Sequence, residues 1–241
     1  MVNFKNYLKD ISFDLMIKLK MKILHFMMSQ LINRFTQLME TVNRYYRTSE
    51  NSDTSEDKLL AKEQARVACI IDAIHNRPSF DVLDRTFQDF GEKLGLPVTG
   101  FTNGHAPSYW NSYEVARTTH NDLIRIQELH LYKSVLGPFY TIIGVDRSEI
   151  TIEQKTIRSV NYHAISPVAV FEKAFKTLNA LFAEAFRDHS YVLYHHYRCT
   201  VPGLSIPGYE EYSNPSIFKA LFWPDFHPSA QYIGNVDYSG T

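Results

Sequence analysis

Residues 139–163, FYTIIGVDRSEITIEQKTIRSVNYH, decide the fold class of this protein. The stretch opens at 139–145 with a run rich in aromatic and β-branched residues, which predicts a strand. Residues 146–148, Asp-Arg-Ser, predict a turn, and 149–157 alternates polar with apolar residues as a partner strand does. A third short strand over 158–163 completes a set of successive strands, which an antiparallel sheet joins with short turns.

A helix is predicted after these strands. Ser166 is a helix cap, and Pro167 is a residue type favoured in the first helical turn. Over 168–187 the apolar residues recur at helical spacing, and they are Phe171, Phe175, Leu178, Leu181, Phe182 and Ala185. Residues 191–199 then predict another strand. The resulting strand-strand-strand-helix-strand core, a small and mostly antiparallel sheet with a packed helix, belongs to the α+β class.

The N-terminal third is predicted to be helical, because all ten glycines and ten prolines lie at or after Pro78. Apolar residues recur at helical spacing over 23–47. Over 11–22 they alternate with mostly polar residues, which predicts a strand, whereas the leucine, methionine and lysine content of this segment favours the alternative of a helix. Two further helices are expected to end near Asn76 and at Gly95, where glycine supplies a left-handed residue.

A polar, Gly-containing loop is predicted over 96–112, and a helix is predicted over 113–134. We therefore expect a mainly helical part over residues 1–95 and an α+β core with an aromatic C-terminal wrap over residues 96–241, within one compact domain. The helix over 113–134 would carry one polar face, made of Glu114, Arg117, Asn121, Arg125, Glu128 and Tyr132. That face predicts either a site for a polar ligand or charged partner, or a solvated surface of paired ions.

Composition and charge narrow the class of protein. With 44% hydrophobic and 21% charged residues the chain is globular, and its net charge of −1 does not favour a nucleic-acid partner. The most apolar stretch, 11–32, contains Asp14 and three lysines, which disfavours a membrane segment or signal peptide. Two cysteines without metal-binding spacing fit a reducing cytoplasm. Because phosphate-binding and metalloprotease motifs are missing, we expect no cofactor and no metal.

Histidines cluster in the predicted strand 191–199. On a strand, His195 lies on one face, whereas His196 and Arg198 share the other. With His163 from a neighbouring strand, these side chains would form the catalytic set of a hydrolase or transferase, arranged around a polar substrate or a metal. The alternative is that they are half-buried strand residues at the edge of the sheet.

Aromatic and acidic residues suggest a second type of site. The loop 96–112 offers His105 and Trp110, and the tail 200–241 combines aromatic side chains with an acidic balance. The tail residues singled out for binding are Tyr209, Glu210, Glu211, Tyr212, Trp223 and Asp225. Aromatic anchors with an acidic rim are typical of an interface for a basic protein. The alternative is a C-terminal wrap that covers the chain's own core.

Two functional hypotheses follow from these patterns. The first is a soluble cytoplasmic, non-catalytic protein-binding module, of which an immunity-type neutraliser of a basic toxic enzyme is one example. The second is the hydrolase or transferase with the histidine-rich site. The helix 23–47 has an apolar face that either completes the core or forms a homodimer.

Overall fold

The α+β class is confirmed, with helices in the N-terminal region followed by a mixed sheet of seven strands. The structure is a computed structural model, and it describes residues 4–51, 55–100, 106–153, 155–207, 215–223 and 231–240. The chain divides into two compact units, residues 1–40 and 41–241. Among the helices of the described residues, none combines the length and the apolar character that a membrane crossing needs.

Three helices form the N-terminal region: α1 (Phe4–Tyr45), α2 (Glu56–His75) and α3 (Arg77–Leu94). The strand predicted over 11–22 is wrong, because this segment belongs to α1. Its leucine, methionine and lysine side chains favour helix, and that propensity outweighs the alternating pattern. The third predicted helix is confirmed, and it ends at Gly95, which has a φ of 67°.

The first unit presents exposed apolar side chains along α1. Ile17, Met21, Leu24, Met28 and Ile32 are all exposed, with Leu24 at 55% of its full accessibility. The spacing of these residues places them along one stripe of the helix. A homodimer through the segment 23–47 stays a prediction.

The sheet is built almost entirely from antiparallel pairs. Its strands lie in the order β1-β2-β3-β4-β5-β7, and β6 pairs with β4 beside this path. The two parallel pairs are β4 with β6 and β5 with β7. The strands are β1 (Val98–Gly100), β2 (Ser108–His120), β3 (Leu123–Ser134), β4 (Phe139–Ile152), β5 (Lys155–Ala164), β6 (Ser190–Tyr191) and β7 (Gln231–Ile233).

The helix predicted over 113–134 is wrong, because this segment forms the β2–β3 hairpin. The polar residues that recur every three or four positions also fit two strands joined by a tight turn. Asn121 and Asp122 form that turn, and Asn121 has the positive φ of 52° that such turns require. The predicted loop 96–112 is also corrected, because β1 and the start of β2 lie within it.

The turn predicted at 146–148 is wrong, because β4 continues through these residues. Asp146 is completely buried in the strand, where its carboxylate accepts hydrogen bonds from Arg125 and Asn161. The chain turns instead near Glu153, whose φ is 49°, so the segment 158–163 belongs to β5 rather than to a separate strand.

The segment that follows β5 contains three short or medium helices and the two-residue strand β6. A 3-10 turn (Ala169–Phe171) leads into α4 (Glu172–Ala185), so the predicted helix is confirmed. The predicted cap is wrong, because Ser166 precedes both elements and its Oγ accepts a hydrogen bond from the backbone N–H of Asn235. The strand predicted over 191–199 is wrong: β6 stops at Tyr191, and α5 (Tyr194–Arg198) follows. The backbone hydrogen bond from Val192 to the Tyr140 carbonyl is the last contact that aligns this segment with β4. A short helix, α6 (Ile217–Leu221), lies in the tail.

Aromatic rings of α3, α4 and β4 pack together in the core of the second unit. Phe182 of α4 is fully buried, and its ring stacks on Tyr140 of β4 with 4.0 Å between the ring centroids. Phe87 of α3 also contacts Phe182, with the centroids 6.4 Å apart. Gly144 leaves room for Phe171, because a Cβ at position 144 would lie 3.0 Å from that ring. These contacts hold α3 and α4 against the sheet.

We expect Phe182→Ala to lower the free energy of unfolding by about 3–5 kcal/mol, because it leaves a cavity between α4 and β4. Denaturant unfolding measures this loss. Leu60→Ala is the matched control: Leu60 is 55% exposed on α2, and its truncation should change stability by no more than about 0.5 kcal/mol. Equal losses in the two variants would contradict the packing of α4 on the sheet.

Candidate functional site

Three of the four predicted catalytic residues lie beside β7 or the residues that follow it. His163 is buried in β5, and its ring lies 5.4 Å from that of Tyr232 in β7. The guanidinium of Arg198 lies 5.2 Å from the same Tyr232 ring. His195 is exposed, with its Nε2 3.2 Å from a carboxylate oxygen of Asp237. His196 is half-buried on α5.

The strand argument that assigned these histidines to two faces is wrong, because His195, His196 and Arg198 lie on the single turn of α5. Successive residues of a helix point in directions about 100° apart, so neighbouring side chains spread around the axis. Within the described ranges, no group of three or more His, Cys, Asp or Glu side chains has the arrangement of a metal site.

Of the residues predicted to bind a protein partner, the structure describes two, Trp110 and Trp223. Trp110 lies in β2 rather than in a loop, and its ring stacks on Tyr132 with the centroids 5.7 Å apart. Trp223 is half-buried after α6, with a φ of 28°. Six predicted binding residues lie outside the described residues: His105, Tyr209, Glu210, Glu211, Tyr212 and Asp225.

The described part of the tail packs inward. Phe218 and Phe222 of this segment are buried, and both contact the ring of Tyr132 in β3. Ser108 of β2 donates a hydrogen bond of 2.6 Å to the carbonyl of Phe222. Residues 215–223 therefore cover the chain's own core, as the wrap interpretation expects.

The polar face predicted on the helix over 113–134 does not form, because its residues lie in β2, β3 and the turn between them. One of these residues, Glu128, is the centre of a buried hydrogen-bond network. Its carboxylate accepts hydrogen bonds from Ser112 at 2.8 Å and from Arg147 at 3.0 Å, and it lies 2.9 Å from Nε2 of His130. Burial acts to raise the pKa of Glu128, but His130 and Arg147 outweigh it and lower that pKa to about 2. Both carboxylate oxygens have partners, so this network stabilises the sheet.

A cleft of about 800 Å³ lies on the other face of β3. Its wall combines the end of α2, the first half of α3, the connection between β3 and β4, and the residues after α4. Most lining side chains are apolar, and this size is typical of small-molecule sites. Its aromatic and ionisable side chains are Tyr109, Lys133, Phe186 and His189, and three hydroxyl groups, of Ser79, Thr86 and Ser134, also line it.

Lys133 is the cation of this cleft. It is paired with Tyr109 of β2 and with Tyr140 of β4 in the sheet register, so its backbone is fixed on both sides. Its Nζ lies 5.8 Å from the centre of the Tyr109 ring and 5.6 Å from that of Phe186. No carboxylate among the described residues forms an ion pair with it. Burial lowers the pKa of Lys133.

His189 lies against the same aromatic ring as Lys133. Its ring centroid is 5.5 Å from that of Phe186, and its buried Nδ1 has no hydrogen-bond partner among the described residues. Burial, assisted by the positive charge of Lys133, lowers the pKa of His189 to about 4. The imidazole is therefore neutral at neutral pH.

The cleft thus combines an apolar wall with one neutral imidazole and one cation that has no acidic partner among the described residues, a combination that suits an organic anion. Sequence reasoning missed it because the segment 113–134 was predicted to be a helix, in which Leu131 and Lys133 do not share a face. The sequence pattern that could have revealed this site is the alternate spacing of Leu129, Leu131 and Lys133, because these residues share one face of a strand. No family model, curated protein or solved structure matches this chain.

We expect Lys133→Met to raise the free energy of unfolding by about 1 kcal/mol, because methionine keeps the packing and removes a poorly solvated charge. Lys93→Met, at an exposed position on α3, is the matched control and should change stability little. Thermal and urea unfolding measure both variants. A loss of stability in Lys133→Met would show that the cation–π contacts make Lys133 a structural residue.

We also expect His189 to make stability depend on pH. Between about pH 4 and about pH 6.5 the unfolded chain binds a proton at this residue that the folded protein does not bind. The contribution of neutral His189 to the free energy of unfolding is therefore complete above about pH 6.5, and it is lost as the pH falls towards about 4. His189→Gln should lose less stability between about pH 7 and about pH 5 than the wild type does, as measured by urea unfolding. Parallel curves, or the same effect in the exposed His75→Gln, would contradict this assignment.

Proposed function

We propose that this protein binds a small organic anion, with the anionic group at Lys133 and an apolar body along the wall of the cleft. The observation that carries the proposal is the ammonium of Lys133, held between two aromatic rings without a carboxylate partner in the described part of the chain. Lys133 is half-buried, so its charge is partly removed from water, and the described residues supply no carboxylate to compensate it.

The surroundings of Lys133 favour a ligand with an apolar body over a bare inorganic anion. Val82 and Leu83 of α3 and Val135 and Leu136 of the β3–β4 connection line the cleft. Burial of apolar ligand surface contributes about 25 cal/mol/Å². A carboxylate or sulfonate on that body replaces the missing counter-ion, and charge-assisted contacts of this kind are stronger than neutral hydrogen bonds.

Fluorescence of 8-anilinonaphthalene-1-sulfonate tests this proposal, because the dye is an organic anion that brightens in apolar sites. We expect 2-naphthoate to displace the dye and the neutral 2-naphthamide to displace it at least about tenfold less effectively. Lys133→Met should weaken dye and naphthoate binding by about tenfold or more. Lys93→Met, which keeps the cleft, should bind as the wild type does.

Equal displacement by naphthoate and naphthamide would overturn the proposal, because it would show that charge plays no part in binding. Unchanged binding in Lys133→Met would overturn it as well, because the ligand would then lie elsewhere.

The two functions expected from the sequence stay predictions. Recognition of a basic protein by the tail relies mainly on positions outside the described residues. The hydrolase or transferase relies on His163, His195, His196 and Arg198, of which His163 and Arg198 meet at the ring of Tyr232. The organic-anion proposal is preferred because the Lys133 cleft combines volume, an apolar wall and a charge with no acidic partner in the part of the chain that the structure describes.

A further inference from the structure

We propose that Lys133 is also a nucleophilic amine, which condenses with the aldehyde or ketone group of a ligand in the cleft to form a reversible imine. This inference rests on the proposed function, because it requires that the same cleft admits a small organic ligand. It adds a second ligand class, a carbonyl compound, and a chemical step at a named atom.

The position of Lys133 suits an amine nucleophile. Strand pairing on both sides of β3 fixes its Cα, and the Tyr109 and Phe186 rings flank its Nζ at 5.8 and 5.6 Å. No carboxylate in the described ranges holds the proton on the nitrogen. Burial lowers the pKa of Lys133 and so increases the fraction of neutral amine relative to an exposed lysine.

Two opposing effects act on the charge of Lys133. The aromatic rings favour the ammonium through their π faces, whereas removal of water favours the neutral amine. A ligand that fills the cleft expels water from around the nitrogen and therefore shifts the balance towards the amine. Two carboxylates act electrostatically on residues of this cleft, Asp72 on Tyr109 and Asp188 on His189.

The step balances without any oxidant or reductant. The lone pair of the neutral Nζ attacks the carbonyl carbon, and the π electrons of the C=O bond move to the oxygen, which takes up a proton. The nitrogen then loses a proton to give a carbinolamine. Loss of the hydroxyl group with one further proton releases water and forms the C=N bond. Addition of water to that bond reverses the sequence and frees the ligand.

We assign the transfer of these protons to His189 because its imidazole lines the same cleft as Lys133. Its ring and the Lys133 Nζ lie against the same Phe186 ring, at 5.5 and 5.6 Å from its centre. Its Nδ1 is buried and without a hydrogen-bond partner among the residues described. A neutral imidazole can accept the proton that the attacking nitrogen releases and return it to the departing hydroxyl group.

The test uses 2-naphthaldehyde with sodium cyanoborohydride, which reduces an imine to a stable amine. Intact-mass spectrometry and peptide mapping then count and locate the adducts. We expect the first adduct at Lys133, formed at least about ten times faster than at exposed lysines such as Lys93. His189→Gln should slow this adduct by about tenfold or more without moving it to another residue.

Lys133→Met should lose the fast adduct, and Lys93→Met should retain it. Labelling of Lys133 no faster than of exposed lysines overturns the imine proposal. If Lys133 is labelled slowly but 2-naphthoate still binds, the organic-anion function is retained and only the imine proposal is overturned. Fast labelling of Lys133 in a protein that does not bind 2-naphthoate supports the nucleophile and overturns the anion function. An unchanged rate in His189→Gln overturns the role of the imidazole.

Discussion

The hydrogen bonding of β3 to β2 on one side and to β4 on the other is the constraint on which the second unit depends. These pairings run from Leu123 almost to the end of the strand. Because neighbouring residues of a strand point to opposite faces, the pairing assigns each β3 side chain to one face of the sheet. Glu128, His130 and Tyr132 then lie towards the tail helix α6, whereas Lys133 lies towards α3 and α4.

Charged side chains with restricted access to water fall into two kinds in this sheet, those with several partners and those without an acidic or basic partner among the described residues. Asp146 and Glu128 are buried with several donors each, so their carboxylates are compensated. Lys133 is surrounded by aromatic rings and has no acidic partner in the described part of the chain. A compensated charge holds strands in register, whereas an uncompensated one at a cleft is available to a ligand.

The cleft is assembled from residues far apart in the chain. Phe186 and His189 follow α4, Tyr109 and Lys133 face each other across the β2–β3 pair, and α3 supplies the apolar wall. The stacking of Phe182 on Tyr140 joins α4 to the sheet and thereby places Phe186 beside Lys133. The chemistry of Lys133 therefore depends on packing in the adjacent core.

The sequence by itself determined the α+β class, helix α3 with its terminal Gly95, helix α4 and the strand that begins at Phe139, because hydrophobic periodicity and glycine placement are local signals. Tertiary structure decided that 113–134 is a hairpin, that β4 continues through Asp146 and that His195 lies on a helical turn. In each case the local pattern fits two conformations, and partners distant in sequence select one. Lys133 became a candidate site residue for the same reason, since its desolvation comes from side chains of other elements.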